Sequence, residues 1–256
     1  MKKITVWSLV VIILLCGVAV GSAADPPDFE LKSKSAVLMN AQTGKVIYQQ
    51  QADKKLPPAS ITKIMTMLLT VEAVKEGRAD LDDKVRTSEH AAEMGGSQIW
   101  LEPGEEMKLK ELLKAVAVVS ANDACVAIAE HLYGTQSEFV EEMNNKAQEL
   151  GMKNTKFYNT NGLPVSEEGK ENYTTAYDVT LMSRALLKYP LVLEYTSIWV
   201  DHLRDGESFL RNTNDLVRFY KGVDGIKTGY TSEAGFCLSA TAKQNGMRFI
   251  AVVMNA

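Results

Sequence analysis

Cysteine is scarce in this chain, with three in 256 residues, too few for a disulfide scaffold. Histidine is equally rare: His90, His131 and His202 are scattered, with no pair at helical ligand spacing, so no metal centre and no metal catalysis is expected. A basic surplus is missing too. With 28 Lys and Arg against 32 Asp and Glu the formal charge is −4, which leaves nothing to neutralise a phosphate backbone and argues against nucleic acid as a partner. The sequence holds no glycine-rich phosphate cradle, so no nucleotide cofactor is implied, and no internal repeat or low-complexity tract. What is present is 46% apolar residues against 23% charged, the composition of one large packed domain or two small ones rather than of a disordered chain.

Lys2 and Lys3 precede an uncharged stretch from Ile4 to Ala24 that ends in Gly21, Ser22, Ala23 and Ala24. A basic start, an apolar middle and a small-residue end read as a signal peptide over residues 1–23. The alternative is an uncleaved anchor, with membrane association through residues 4–24. Either way the folded part is expected outside the cytoplasm. Cys125 and Cys237 then lie in apolar runs and read as buried free thiols, with a disulfide between them left open. Residues 24–34, with Pro26 and Pro27, read as an exposed tether, and 35–256 as a single domain.

That domain opens with two short strands, Ser35–Asn40 and Val46–Gln50, around a turn. After Pro57 and Pro58 the apolar residues Ile61, Ile64, Met65, Leu68 and Leu69 recur at helical spacing, and Met67, Val71 and Val74 make much of the remaining surface apolar. This helix is expected to be central and buried. Further helices are expected near 108–119, 123–133 and 137–150, the last closed by Gly151. A capping box at Thr175-Ala-Tyr-Asp178 opens another, running to about 188. Asp205-Gly206 and Asn245-Gly246 are turn signals, and the second joins two runs of strand composition, 235–243 and 247–254. Strands at both ends and helices between them make an α+β domain whose first and last strands share an antiparallel sheet.

Three short elements can carry chemistry. Ser60 sits where Pro57-Pro58 give way to the buried helix, so free backbone N–H groups and the positive dipole end favour an oxyanion there. Lys63 is one turn further along on the same face, and Ile61, Ile64 and Met67 surround it with apolar bulk. A lysine serves as a base for a serine hydroxyl only when desolvation or a nearby cation lowers its pKa. The plainer reading is a capped helix with a surface lysine. Ser120 and Asn122 interrupt two strongly apolar helical runs, as a helix-to-helix turn or as polar groups awaiting a partner. Lys227-Thr228-Gly229 lies at or on a strand beside the final hairpin. A lysine and a hydroxyl there suit a carboxylate, and a glycine admits a substrate backbone to the strand edge.

Together Ser60-Ile-Thr-Lys63, Ser120-Ala-Asn122 and Lys227-Thr-Gly229 resemble, in this order, the motif set of the penicillin-recognising serine acyl-transferases. Within that group the chain is most similar to the low-molecular-mass penicillin-binding proteins that are D-alanyl-D-alanine carboxypeptidases. Supporting segments are 94–104, 122–130, Asn161-Gly-Leu-Pro164 and Val223-Asp-Gly-Ile-Lys-Thr-Gly229. The resemblance implies a β-lactamase/transpeptidase-like fold and removal of the terminal D-alanine from peptidoglycan pentapeptide stems, with no cofactor. It implies that Ser60 is acylated, that Lys63 takes its proton, and that Ser120 and Asn122 shuttle protons and position the substrate amide. Lys227 and Thr228 then bind the terminal carboxylate on a strand with Gly229, and the backbone N–H groups of Ser60 and Tyr230 form the oxyanion hole. A β-lactam mimicking the D-Ala-D-Ala end is expected to block Ser60.

Two departures and two rivals accompany this reading. The family's domain continues past the final strand into a covering helix with a basic residue near the substrate carboxylate, whereas this sequence stops on a strand and reads as truncated at its C-terminal end. Arg248, beside the Asn245-Gly246 turn, reads as an exposed structural residue rather than a replacement for that cation. A serine β-lactamase shares the motif order but needs a carboxylate to activate water. The candidate segment, 141–145, reads as the solvated face of an amphipathic helix, and the middle motif is Ser-Ala-Asn. A non-hydrolytic domain that senses β-lactam or muropeptide is the other rival, and no second module receives its signal.

Overall fold

The computed structural model describes residues 31–164 and 169–256. The expected signal peptide or anchor, and residues 24–30 of the expected tether, lie outside the described residues. Residues 31–34 are not a free tether. The Gln50 carboxamide accepts from the Leu31 N–H and donates to the Leu31 and Ser33 carbonyls, and the Lys34 N–H donates to the Asn255 carbonyl.

Five antiparallel strands form the main sheet in the order β2-β1-β9-β8-β7. They are β1 (Ser35–Asn40), β2 (Val46–Gln50), β7 (Val223–Thr231), β8 (Gly235–Gln244) and β9 (Met247–Met254). First and last strands pair from Ser35 opposite Met254 to Asn40 opposite Phe249, as the α+β reading requires. Asn245 and Gly246 join β8 to β9 with φ of 50° and 79°, the paired left-handed backbone of a two-residue hairpin that Asn and Gly tolerate best. β7 is bonded on one side only, by β8, and its free edge is available to a ligand.

Against this sheet stands the helical middle of the chain. In the helix Lys63–Lys75 every residue from Lys63 to Ala73 is buried, because its sequence is apolar nearly all round. Its buried hydroxyls find partners within the chain: Thr66 donates to the Thr160 carbonyl at 2.6 Å and Thr70 to the Thr66 carbonyl at 2.7 Å. The helices Leu109–Val118, Asn122–Tyr133 and Gln136–Glu149 pack around it, within a residue or two of the expected bounds.

Several details differ from the sequence reading. Only half of the Thr175 capping box forms. Thr175 Oγ1 accepts from the Asp178 N–H, but the Asp178 carboxylate turns to the Asn154 N–H and the Thr155 hydroxyl, and this helix ends at Leu186. Two small strand pairs were not legible: β3 (Lys84–Arg86) with β4 (Glu106–Lys108), and β5 (Val200–Leu203) with β6 (Ser208–Arg211). β3 and β4 are three residues long with one apolar side chain each, and β5 and β6 only four residues long, too short for a periodicity to show. Arg248 is structural but not exposed, since its guanidinium grips Asp224 at 2.6 and 2.7 Å with 17% of the side chain accessible. Cys125 and Cys237 are free and buried. Among the described residues no helix is long and apolar enough to cross a membrane and no cluster of metal-ligating side chains gathers.

Candidate active site

Ser60 lies in a 3-10 turn, Ala59–Thr62, that feeds directly into the helix Lys63–Lys75. The expected helix start is therefore one tight turn deeper than the serine. Ala59, forced to φ 47° after the two prolines, bends the chain so that the Ser60 hydroxyl faces back toward Lys63. Lys63 Nζ donates to Ser60 Oγ at 2.8 Å and to the Asn161 carbonyl at 2.7 Å. Lys63 is fully buried and no carboxylate among the described residues pairs with it. Burial pushes its pKa from 10.5 down to about 8, while Cys125 and Asp123 pull weakly the other way.

The loop that carries Asn161 is locked onto this turn. Gly162, at φ 83°, leaves no room for a side chain, because a Cβ there would stand 1.8 Å from the Ala59 carbonyl oxygen. Asn172 donates to Thr62 Oγ1 at 3.1 Å and accepts from the N–H groups of Tyr158 and Asn159. The Asn161 carbonyl had no assigned role in the sequence reading. Its signals in sequence are the supporting segment Asn161-Gly-Leu-Pro164 and, within it, the Asn-Gly pair, which allows the tight turn that aims this carbonyl inward.

Opposite stands the break between two helices. Ser120 is held at φ 65°, and its buried Oγ has no hydrogen-bond partner among the described residues, nor has Asn122 Oδ1. Asn122 is otherwise well fixed, with Nδ2 donating to the Gly95 carbonyl and its N–H to the Ser97 carbonyl, both at 2.7 Å. Neither Asn122 nor Asp123 caps the following helix, whose N-cap is Ala121.

β7 closes the third side. Gly229 passes so near the Ser60 turn that a Cβ would lie 3.0 Å from both the Pro58 carbonyl oxygen and the Ser60 nitrogen. Lys227 is almost completely buried, its Nζ donating to the Thr228 carbonyl at 3.1 Å. Burial, and then repulsion from Lys63, lowers its pKa to about 7, with Cys125 opposing. The Thr228 hydroxyl donates to Thr213 Oγ1 at 2.7 Å. Tyr230 is exposed at the rim, its ring 4.6 Å from that of Phe236. A cavity of about 600 Å³ joins these sides, lined among others by Ser60, Ser97, Ser120, Thr213, Thr228 and Gly229. Lys63 and Lys227 stand behind that lining. Thr213 and Asn214 gave no signal in sequence, because their polar loop is fixed by distant carbonyls such as that of Gly225.

A hydroxyl bonded to an acid-free buried amine, beside an open strand edge, is equipped for acyl transfer. The sequence profile of a family described as D-alanyl-D-alanine carboxypeptidase matches residues 20–256. The chain belongs to this family. It is 55% identical over 228 residues to D-alanyl-D-alanine carboxypeptidase DacF of Bacillus subtilis, an alignment that covers 88% of this chain and 58% of that one. Among solved structures, penicillin binding protein 6B from Escherichia coli superposes with a TM-score of 0.84 at 35% identity, over 91% of this chain and 74% of that one. Penicillin-Binding Protein D2 from Listeria monocytogenes, in its ampicillin bound form, gives 0.81 at 35% identity, over 90% and 92%. The chain spans just over half the length of the curated carboxypeptidases it first matches.

Proposed function

We propose that this protein is a serine-type D-alanyl-D-alanine carboxypeptidase that removes the terminal D-alanine from peptidoglycan stem peptides and is acylated by β-lactams at Ser60. The observation that carries this reading is the 2.8 Å contact between Ser60 Oγ and a fully buried Lys63 that has no acidic partner among the described residues. With its pKa near 8, a useful fraction of Lys63 is neutral at physiological pH and accepts the serine proton. Ser60 Oγ then bonds to the carbonyl carbon of the penultimate D-alanine, and the oxygen turning anionic lies between the backbone N–H groups of Ser60 and Tyr230. As the C–N bond breaks, the leaving amine takes a proton through Ser120, and free D-alanine departs. Water next attacks the ester carbon, the C–Oγ bond breaks, and a proton returns to Ser60.

Lys227 and Thr228 are the groups we assign to the substrate carboxylate. An incoming carboxylate favours the charged ammonium and so reverses the depression that burial imposes on Lys227. Asn122 Oδ1 is free to accept from the substrate amide, and Gly229 leaves the edge of β7 clear for main-chain pairing. Glu141, the carboxylate a lactamase reading would need, is exposed on the helix Gln136–Glu149 and does not line the cleft. Residues 1–23 are proposed to direct export, which puts the domain where its substrate is. The test is to purify the domain and compare D-alanine release from a peptide ending in D-Ala-D-Ala with hydrolysis of a β-lactam. Release with slow β-lactam turnover is expected, and rapid β-lactam hydrolysis without release would favour the lactamase.

A further inference from the structure

Trp100 stands out from its surroundings. It is 75% exposed, the most accessible of the large apolar residues described, and it holds φ 58°, a left-handed backbone that bulky residues keep only when their surroundings impose it. Those surroundings are unusually complete. Ile99 and Leu101 on either side are buried, and their N–H groups both donate to the carboxylate of Asp123, at 3.1 Å each. From the other side Arg204 donates to the carbonyls of Ile99 at 2.9 Å and of Trp100 at 3.3 Å. Arg204 is held in turn by Glu105 at 2.9 and 3.1 Å and by Ser208 at 3.1 Å. Two charged side chains therefore fix the backbone of a residue whose own side chain stands largely in solvent. Three residues before it, Ser97 lines the catalytic cleft and ties to Asn122 through its carbonyl, so the backbone that carries the indole lies within about 11 Å of a cleft-lining residue.

Taking the carboxypeptidase reading as given, we propose that Trp100 is a fixed stacking platform for a sugar ring of the glycan that bears the stem peptide, and so determines preference for glycan-linked substrate. A pyranose offers a flat C–H face rimmed by hydroxyls, which suits an indole face in water with one N–H donor at its edge. Fixing the backbone beneath the ring in advance removes part of the ordering cost of binding, which accounts for a left-handed backbone kept under an exposed aromatic.

Trp100→Gly and Trp100→Asn both accept the left-handed backbone, so the loop keeps its shape without the ring. Each is assayed for D-alanine release from a disaccharide-pentapeptide and from the same pentapeptide without sugar, with acylation by a fluorescent penicillin reporting the integrity of the cleft. The ratio of kcat/KM for the sugar-linked over the free peptide is expected to fall roughly tenfold in both variants, through KM, the weight of one aromatic stacking contact, and Trp100→Phe to restore part of it. An unchanged ratio, or equal losses on both substrates, overturns the platform. Wild-type protein that acts on neither peptide overturns the carboxypeptidase reading itself, and the platform falls with it.

Discussion

The two walls of the cleft that face each other across Ser60 are finished to different degrees. On the side of the helix Lys63–Lys75, Ser60, Thr62, Lys63 and Thr66 all have partners within the chain, several of them in the loop 159–163 and at Asn172. On the side of the break at 120–122, Ser120 Oγ and Asn122 Oδ1 are buried without one among the described residues. A buried polar group left unpaired costs about 1–3 kcal/mol, so such a wall persists where a ligand completes it. The first wall is set before substrate arrives and supplies the nucleophile. The second receives what arrives.

Breaking the finished wall should have the largest effect. Ser60→Ala is expected to abolish labelling by a fluorescent penicillin. Lys63→Ala should slow acylation by roughly 10²–10⁴-fold, the weight of a general base, while circular dichroism stays native; acylation at the normal rate would mean that another group takes the proton. The lock behind this wall comes next. Gly162→Ala drives a methyl group into the Ala59 carbonyl and forbids the φ of 83°. It should lower stability by about 2–4 kcal/mol and acylation with it. A denaturation midpoint equal to wild type would show that the loop 159–163 does not hold the nucleophile turn.

The unfinished wall should behave in the opposite way. Ser120→Ala removes a hydroxyl that has no partner to lose, so stability should stay within about 1 kcal/mol of wild type or rise. Turnover should still fall by about 10²-fold if the hydroxyl serves the reaction. Parallel losses of stability and turnover would mean that Ser120 is an ordinary structural serine, and the contrast between the walls would vanish.

Both walls were legible in sequence as residue types, and neither as geometry. The central helix follows from apolar residues at 61, 64, 65, 68 and 69, and the closing hairpin from Asn245-Gly246, because these are local signals with a local cause. Lys63 was readable as a buried amine because its neighbours one turn away are apolar. What could not be read is set by distant chain. The Asn161 carbonyl reaches Lys63 across 98 positions, and Thr213 meets Thr228 across 15. The fit of Gly229 under Ser60 depends on β7 passing over the turn. Arg248 was misplaced to the surface for the same reason, since its partner Asp224 lies on another strand.

The last and smallest effect concerns the two lysines behind the lining, Lys63 and Lys227, whose folded pKa values of about 8 and about 7 lie below the ordinary 10.5. Between those values and 10.5 the unfolded chain binds more protons than the folded one, so stability should rise with pH. Cys125, pushed by burial from 9.0 up to about 12, acts with the opposite sign once pH passes its ordinary value. The rise is therefore read between about pH 7 and 8.5 as an increasing thermal midpoint, worth roughly 1 kcal/mol per group. Acylation by penicillin should climb over the same interval as Lys63 loses its proton. Lys63→Met should flatten part of the stability slope and leave the part that burial alone imposes on Lys227. If the wild-type midpoint is flat across this interval, the amine beside Ser60 is not held neutral by burial, and the finished wall lacks the base it was built to present.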